Sequence, residues 1–204
     1  MEVFLAQVFN GLSLGSVYVL LVTGFNLLLL VAMIIHFSYP VLVVFSMYIS
    51  WLVLGATGNN IIVGILAGVV SAILLNVVSA PIFQHIMKER GEVDINATMV
   101  ISMGMGMIIT DLLSHEFNHG FPIAFPAQMT GKGAFLNIGL IHLTRGQVLS
   151  LGIGVVVVLG LFWLLYKTKQ GRAFRAIAED PNGAKLVGIP IMKTGIQSYA
   201  LTGI

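Results

Sequence analysis

Cysteine is absent from this sequence of 204 residues, and charged residues are scarce. The lack of cysteine excludes disulfide bonds and thiolate metal sites. Charged residues make up 9% of the chain, against about 25% in a typical soluble domain, and hydrophobic residues make up 57%. No Asp, Glu, Lys or Arg lies between Glu2 and Lys88. A water-facing surface cannot be built from such a run, so the sequence predicts an all-α, polytopic membrane protein.

Apolar runs divide the chain into five complete membrane spans. A helix needs about 20 apolar residues to cross the hydrocarbon core. We predict one transmembrane domain over residues 1–204, with spans at about 3–35, 41–55, 61–83, 97–113 and 147–166. The proline- and glycine-containing segment 114–146 is predicted to be an external loop. Residues 194–204 are predicted to begin a sixth span, so we expect the chain to be truncated within it.

The boundary between the first two spans is predicted to be broken or re-entrant. Pro40 lacks a backbone N–H and disfavours the preceding helical turn. The first span is also too long for one straight crossing, since about 33 residues extend roughly 50 Å against a core of about 30 Å. We therefore expect a kink or an interfacial turn at Gly11 and Gly15.

Basic residues predict the orientation of the chain, because they are retained on the cytoplasmic side during insertion. Most of the Lys and Arg residues lie near Lys88 or within residues 167–193. Both segments are predicted to be cytoplasmic, and five crossings then place the N-terminus and the 114–146 loop outside. The formal net charge of +2 gives no indication of nucleic-acid binding.

Residues 171–188, here called the polar corner, are predicted to form two short helices in an L. The first covers residues 172–179. Asp180 then caps a second helix that begins with Pro181 and stops at Gly188. A rigid corner of this kind is suited to docking. The alternative is a solvated linker whose basic residues only maintain topology.

The polar corner resembles the coupling loop of the permeases of branched-chain amino acid ABC importers. The resemblance lies in the run from Gly171 to Pro181, GRAFRAIAEDP, and in AKLVGI from Ala184. The run from Asn10 to Tyr18, NGLSLGSVY, is similar to the first helix of the same family. By this resemblance the coupling residues are Gly171, Arg172, Arg175, Ala176, Glu179, Asp180, Pro181, Ala184 and Gly188.

The resemblance implies a multi-pass subunit of the cell inner or plasma membrane, surrounded by membrane lipid. It would pass a small solute, a branched-chain amino acid or a related amino acid or amide. The implied partners are a second permease subunit in a homodimer or heterodimer, two cytoplasmic ATP-binding subunits and an external substrate-binding protein. The chain would be a transporter subunit and not an enzyme, because it has no phosphate-binding loop of the form G-x-x-x-x-G-K-[ST]. No cofactor is expected in the chain itself, and the partner subunits would bind ATP and Mg.

Polar residues within the apolar runs, together with Phe37 at the predicted break, are the candidates for lining the solute pathway. They lie at the predicted break or inside predicted spans, where an uncompensated polar group is costly. The candidates are Asn26, His36, Phe37, Tyr39, Asn76 and Asp111. The alternatives are an interhelical hydrogen bond for the two asparagines and an interfacial position for Asp111.

Two other functions remain open from the sequence. His115, Glu116 and His119 form an H-E-x-x-H pattern, in which the two histidines of a helix bind zinc and the glutamate is the general base of a metalloprotease. Gly120 follows immediately and no suitable third ligand is evident, so the alternative is a polar helix end. A channel or secondary transporter that needs no ATPase shares the same spans, but it would not need the polar corner.

Overall fold

The computed structural model describes residues 2–90, 95–117, 125, 134–138 and 141–204. Helices dominate this part of the chain, which confirms the all-α class. The helices are α1 (Glu2–Leu27), a π-helical segment (Leu28–Ala32), α2 (Tyr39–Ala56), α3 (Ile61–Arg90), α4 (Ile95–Glu116), α5 (Arg145–Lys167), α6 (Lys169–Glu179), α7 (Pro181–Leu186) and α8 (Ile191–Thr202). A two-stranded antiparallel hairpin of β1 (Ala134–Ile138) and β2 (Ile141–Thr144) precedes α5.

Five of these helices are long and apolar enough to cross a membrane. The crossing segments are Gln7–Ala32, Tyr39–Ala56, Ile61–Phe83, Ile95–Glu116 and Gly146–Lys167. Large apolar side chains such as those of Ile108 and Val156 are exposed on these helices. Exposed apolar surface on membrane-length helices is expected where lipid or another subunit covers it. The chain is therefore a multi-pass membrane protein.

Three local predictions were wrong. The α-helix runs unbroken through Gly11 and Gly15, and the irregular turn lies instead at the π-helical segment. The helix of the third span does not end with the span at residue 83 but continues through Lys88 to Arg90. A helix can extend beyond the apolar core once its charged residues reach the polar interface, so hydropathy marks where a span leaves the membrane and not where its helix ends.

The third wrong prediction concerns the segment 114–146, which was expected to be a loop. Its described residues include the end of α4 and a hairpin in which Asn137 pairs with His142 and Ile138 with Ile141. Apolar and β-branched residues on both sides of a two-residue connection favour such pairing. The remaining residues of this segment, apart from Phe125, lie outside the described part of the chain.

The chain forms two compact units. One consists of Met1–Thr23 with Ala124–Leu164, and the other of Gly24–Ile123 with Leu165–Ile204. The prediction of a single transmembrane domain stays a prediction.

In the first unit, α1 and α5 lie side by side and run in the same direction. Ser13 Oγ lies 2.8 Å from Ser150 Oγ. One turn earlier on both helices, the side-chain amide of Gln147 donates to Asn10 Oδ1. One turn later, Ser16 lies against Gly154. Successive contacts therefore move towards the C-terminus on both helices, which occurs only when two neighbouring helices are parallel.

In the second unit, α2 and α3 form a close helical hairpin. The turn between them places Gly58 and Asn59 at positive φ. Gly64 and Gly68 face α2, where Cβ atoms would meet the side chains of Leu54 and Ser50. Small residues allow this close approach.

Helix α8 closes the second unit by packing against both α3 and the π-helical segment. Gly203, directly after α8, lies next to the backbone of Ala72 and Ile73. The segment predicted to begin at residue 194 therefore starts at Ile191 and joins the core of this unit.

Candidate functional site

The polar corner is built from two capped helices, much as the sequence predicts. The Thr168 side chain caps α6 by accepting a hydrogen bond from Gly171 N at 3.0 Å, so α6 begins three residues earlier than expected. Asp180 ends α6 and caps α7 through Oδ1, which accepts from Asn182 N at 3.0 Å. Pro181 occupies the first turn of α7. One aspartate thus fixes the bend between the two helices.

The end of α7 is set by Gly188, whose φ is +83°. Ile189 N donates to Ala184 O at 3.0 Å and Gly188 N to Lys185 O at 3.1 Å. These bonds satisfy carbonyls that the end of a helix leaves free, and the left-handed conformation favours glycine. The predicted stop at Gly188 is confirmed.

One face of α6 is anchored to the membrane helices. Gly171, Phe174 and Ile177 are buried, and α6 contacts both the π-helical segment and α8. Ala184 of α7 is also buried. Apolar residues three apart bring this face of α6 onto its neighbours.

The charged residues of the polar corner lie on its exposed surface. Arg172, Arg175, Glu179 and Asp180 are all exposed. The guanidinium carbon of Arg175 lies 4.8 Å from the centre of the Tyr166 ring, a cation–π contact. The predicted coupling residues therefore divide into buried anchors and an exposed face, with Ala176 and Pro181 partly buried and Gly188 exposed.

Two apolar residues at the end of α7 were missed in the sequence analysis. Leu186 and Val187, here called the apolar tip, are 88% and 77% exposed. A helix of six residues has too few neighbours to bury side chains on all of its faces. Apolar residues at its end are therefore exposed unless another molecule covers them. The signal was present in the sequence as two apolar residues placed after Lys185 in a segment too short to form a core.

The break between the first two spans is confirmed, but it lies slightly earlier than predicted. Met33 has a φ of +57° and residues 33–36 are not helical. Pro40 falls in the first turn of α2, where its missing N–H costs nothing. Ser102 Oγ of α4 accepts from Phe37 N at 3.1 Å, and its one proton is shared between Ile35 O at 3.1 Å and Met99 O at 2.8 Å. This hydroxyl replaces backbone hydrogen bonds that the break removes.

His36 lies at the centre of the break and is fully buried. Its Nε2 is 3.2 Å from Ser79 Oγ and its Nδ1 is 3.0 Å from Ser38 Oγ. Ser79 Oγ donates its proton to Asn76 O at 2.6 Å, so it accepts from His36 Nε2–H, and Ser38 donates to Nδ1. This network assigns the neutral Nε2–H tautomer.

Aromatic rings enclose the imidazole of His36. The centre of the Phe83 ring lies 4.8 Å away and that of Tyr199 lies 5.9 Å away in an edge-on arrangement. Tyr39 OH donates to Thr202 O at 3.2 Å. The break is thereby bound to α3, α4 and α8 at once.

The six pathway candidates separate in the structure. His36, Tyr39 and Asn76 are buried, and His36 and Asn76 are joined through Ser79. Phe37 is 42% exposed, and Asn26 and Asp111 are exposed. Asp111 Oδ1 lies 3.5 Å from His115 Nδ1 near the end of α4.

Two polar atoms in this region have no hydrogen-bond partner among the described residues. They are Asn76 Oδ1 and the Tyr199 hydroxyl. One is an acceptor and the other a donor, and they lie on the packed helices α3 and α8. Unsatisfied groups of this kind are rare in native cores. Tyr199 was not among the sequence candidates.

The H-E-x-x-H pattern is only partly within the described residues. His115 and Glu116 form the end of α4, whereas His119 lies outside the described part of the chain. His115 Nδ1 lies 3.0 Å from the backbone oxygen of Asp111 and donates to it. No group of three metal-ligating side chains occurs among the described residues.

Ser79→Ala is expected to lower the free energy of unfolding by about 2 kcal/mol, because it leaves the Nε2–H of a buried imidazole without an acceptor. Ser71→Ala is the matched control on the same helix. Ser71 Oγ donates to Gly68 O at 2.9 Å but does not contact the break. Thermal unfolding in detergent should show a clearly larger loss for Ser79→Ala, and equal losses would contradict the assigned network.

Comparisons with known proteins agree with these features. Residues 7–204 match the family model of the branched-chain amino acid transport system permease component. The high-affinity branched-chain amino acid transport system permease protein LivH of Escherichia coli is 26% identical over 197 residues, which cover 91% of this chain and 62% of that protein. The probable LivH permease of Methanocaldococcus jannaschii is 26% identical over 142 residues, 70% of this chain and 42% of that protein.

A ribose permease is also similar to part of the chain. The ribose import permease protein RbsC of Bacillus subtilis is 30% identical over 112 residues, which cover 53% of this chain and 30% of that protein. The chain thus spans less than two thirds of the length of these relatives. No solved structure matches it.

Proposed function

The chain belongs to the family of branched-chain amino acid transport permeases, and from this premise we propose that it is a permease subunit of an ATP-driven importer. Its proposed partners are a second permease subunit, two cytoplasmic ATP-binding subunits and an external substrate-binding protein. The proposed solute is a branched-chain amino acid or a related amino acid or amide. ATP and Mg belong to the partner subunits, because the chain carries no phosphate-binding loop.

The observation that carries this proposal is the physical link between the polar corner and the broken helix. The buried face of α6 contacts the π-helical segment, which leads directly into the break that His36 holds together. Helix α8 contacts the corner, the π-helical segment and α3. A push on the corner by a closing ATPase therefore reaches the break through two packed contacts. Packed elements of this kind convert a small displacement into a change between two arrangements.

The parallel packing of α1 and α5 supports the proposed orientation. Two spans run in the same direction when an odd number of spans lies between them. Three spans lie between α1 and α5 if the chain crosses the membrane five times, so the two helices should be parallel. The segment before α5 then lies on the same side of the membrane as the N-terminus. Because the basic residues of the polar corner favour the cytoplasmic side, we place the N-terminus outside.

A cleft between α2 and α4 is the proposed contact for the apolar part of the solute. Its volume is about 300 Å³, and it is lined mainly by apolar side chains, with hydroxyl groups at one end. The ring of Tyr48 lines it, and the Phe117 ring lies 4.7 Å from that ring. A volume near the lower end of the range for ligand pockets suits a small aliphatic side chain. The cleft begins at Pro40, immediately after the break.

Transport measurements in proteoliposomes test the proposed function. Proteoliposomes that contain the full-length permease and its ATP-binding subunits, supplied with the binding protein, should accumulate leucine, isoleucine or valine. They should do so only when ATP is present on the side of the membrane that carries the ATP-binding subunits. Ribose is the comparison solute, because a ribose permease is among the similar proteins. Uptake of ribose alone would overturn the proposed substrate class. Uptake that needs no ATPase would instead establish a channel or secondary transporter.

A pair of tryptophan variants tests whether the solute passes through the α2–α4 cleft. Val44→Trp fills the α2–α4 cleft and is expected to reduce leucine uptake at least tenfold, whereas Met47→Trp on the same helix should leave uptake unchanged. Val44 lines the cleft and is 44% exposed, and Met47 is 49% exposed outside its lining. Equal uptake in the two variants would remove the cleft from the solute pathway.

A further inference from the structure

A cavity of about 660 Å³ lies between the end of α7, the start of α8 and the end of the first span. Its membrane-side wall is apolar and includes Val31 and Ile34, which are nearly fully buried. Tyr199 forms another part of the wall. The cavity is distinct from the α2–α4 cleft and shares no lining residue with it.

Positive charge is concentrated on the corner side of this cavity. Lys185 at the end of α7 and Lys193 in the first turn of α8 both line it. No acidic side chain is among the described residues that line it. Neither lysine has an ion-pair partner among the described residues. A ligand for this space therefore needs an anionic group at one end and an apolar body at the other.

These features match one component of the surrounding membrane. We propose that the cavity binds a single anionic phospholipid, with its phosphate between Lys185 and Lys193 and an acyl chain along the accessible apolar lining at Ile189 and Met192. Lysine stems lie along apolar surface while their ammonium groups reach headgroup level. Basic pockets beside membrane helices recognise anionic headgroups in the same way. A free phosphate ion would satisfy the lysines but leave the apolar volume unused.

The lipid would lie between α7 of the polar corner and the π-helical segment. Residues 31 and 32 of that segment, the corner and α8 all contribute to the cavity wall. Its occupant thus touches both ends of the path by which the corner is proposed to move the break. Only this consequence rests on the proposed function; the binding itself does not.

Native mass spectrometry of the full-length chain in mild detergent tests the binding. The probes are phosphatidylglycerol, which is anionic, and phosphatidylcholine, which is zwitterionic. At about 1 kcal/mol for each lysine, phosphatidylglycerol should bind about 30-fold more tightly. The double variant Lys185→Gln/Lys193→Gln is expected to lose this preference, and Lys185→Arg/Lys193→Arg is expected to keep it.

The matched control is Lys167→Gln/Lys169→Gln. Both lysines are exposed, flank the start of α6 and do not line the cavity, so the control removes the same charge nearby. An equal loss of preference in the control would overturn the proposal, because general surface attraction would explain it. Equal binding of the two lipids to the unmodified chain would overturn it as well.

Two additional measurements distinguish the lipid from other possible ligands of the cavity. Millimolar inorganic phosphate should not displace phosphatidylglycerol, since the acyl chain contributes to binding; displacement would reduce the site to an anion site. Addition of the ATP-binding subunits should leave the lipid in place, and its release would assign the cavity to that partner. A chain that binds the lipid but transports no solute would refute only the proposed function.

Discussion

Gly203→Ala is expected to lower the free energy of unfolding by about 3 kcal/mol. A Cβ at this position would lie 2.5 Å from Ile73 Cα and 2.7 Å from Ile73 N. These are backbone atoms of α3 that cannot rotate away, so α8 must shift. The backbone of Gly203 has a φ of −80°, which alanine adopts freely, and the penalty is therefore steric. Overpacking of this kind is typically destabilising by 1–3 kcal/mol, occasionally more.

Thermal unfolding in detergent measures this effect. A loss of about 3 kcal/mol corresponds to a fall of roughly 6–12 °C in the midpoint for a chain of this size. Gly104→Ala in α4 is the control, because a Cβ there has no neighbour within 4 Å. It should leave the midpoint unchanged or raise it slightly, since alanine favours a helix more than glycine does. An unchanged midpoint for Gly203→Ala would contradict the close packing of α8 on α3.

Leu186→Ser/Val187→Ser is expected to reduce solute uptake below a tenth of the normal rate without lowering the thermal midpoint. Both side chains are largely exposed, so the fold loses little when they change. If the apolar tip inserts into an ATP-binding subunit, each side chain contributes about 1.5–3 kcal/mol of burial. The affinity for that subunit should therefore fall at least 30-fold.

Gln170→Ser/Asn182→Ser provides the matched control for the apolar tip. Both residues are exposed, Gln170 on α6 and Asn182 on α7, and both are already polar. Uptake, ATP hydrolysis stimulated by the permease and affinity for the ATP-binding subunit should all remain near normal in this control. A tip variant that behaves like the control would show that the corner docks through its charged face instead.

Features that depend on local sequence were predicted well. The five membrane helices follow from uninterrupted apolar runs, since length and hydropathy are sufficient to define a span. The bend at Asp180 and the stop at Gly188 follow from capping chemistry, which acts over three or four residues. The resemblance to the permease family was carried by this same short segment.

Features that depend on contacts between distant residues were not predicted. Asp111 and His36 are both polar residues within or beside apolar runs, yet one is exposed near the end of α4 and the other is enclosed by Ser79, Phe83 and Tyr199. Hydropathy contains no information on which neighbours meet a side chain. The π-helical turn also has no signature in its sequence of four aliphatic residues and an alanine, so only the structure locates the irregular part of the first span.

That turn sets the rotational phase of the first helix. A π-helical turn contains one residue more than an α-helical turn, which is why such turns act as single-residue insertions. If the five residues Leu28–Ala32 rewound with α-helical hydrogen bonds, the surplus residue would turn α1 by about 100° about its own axis relative to His36. The side chains that α1 presents to its surroundings would then be exchanged for those one position along. Rewinding this one turn would therefore shift the helical register of the residues that directly precede it.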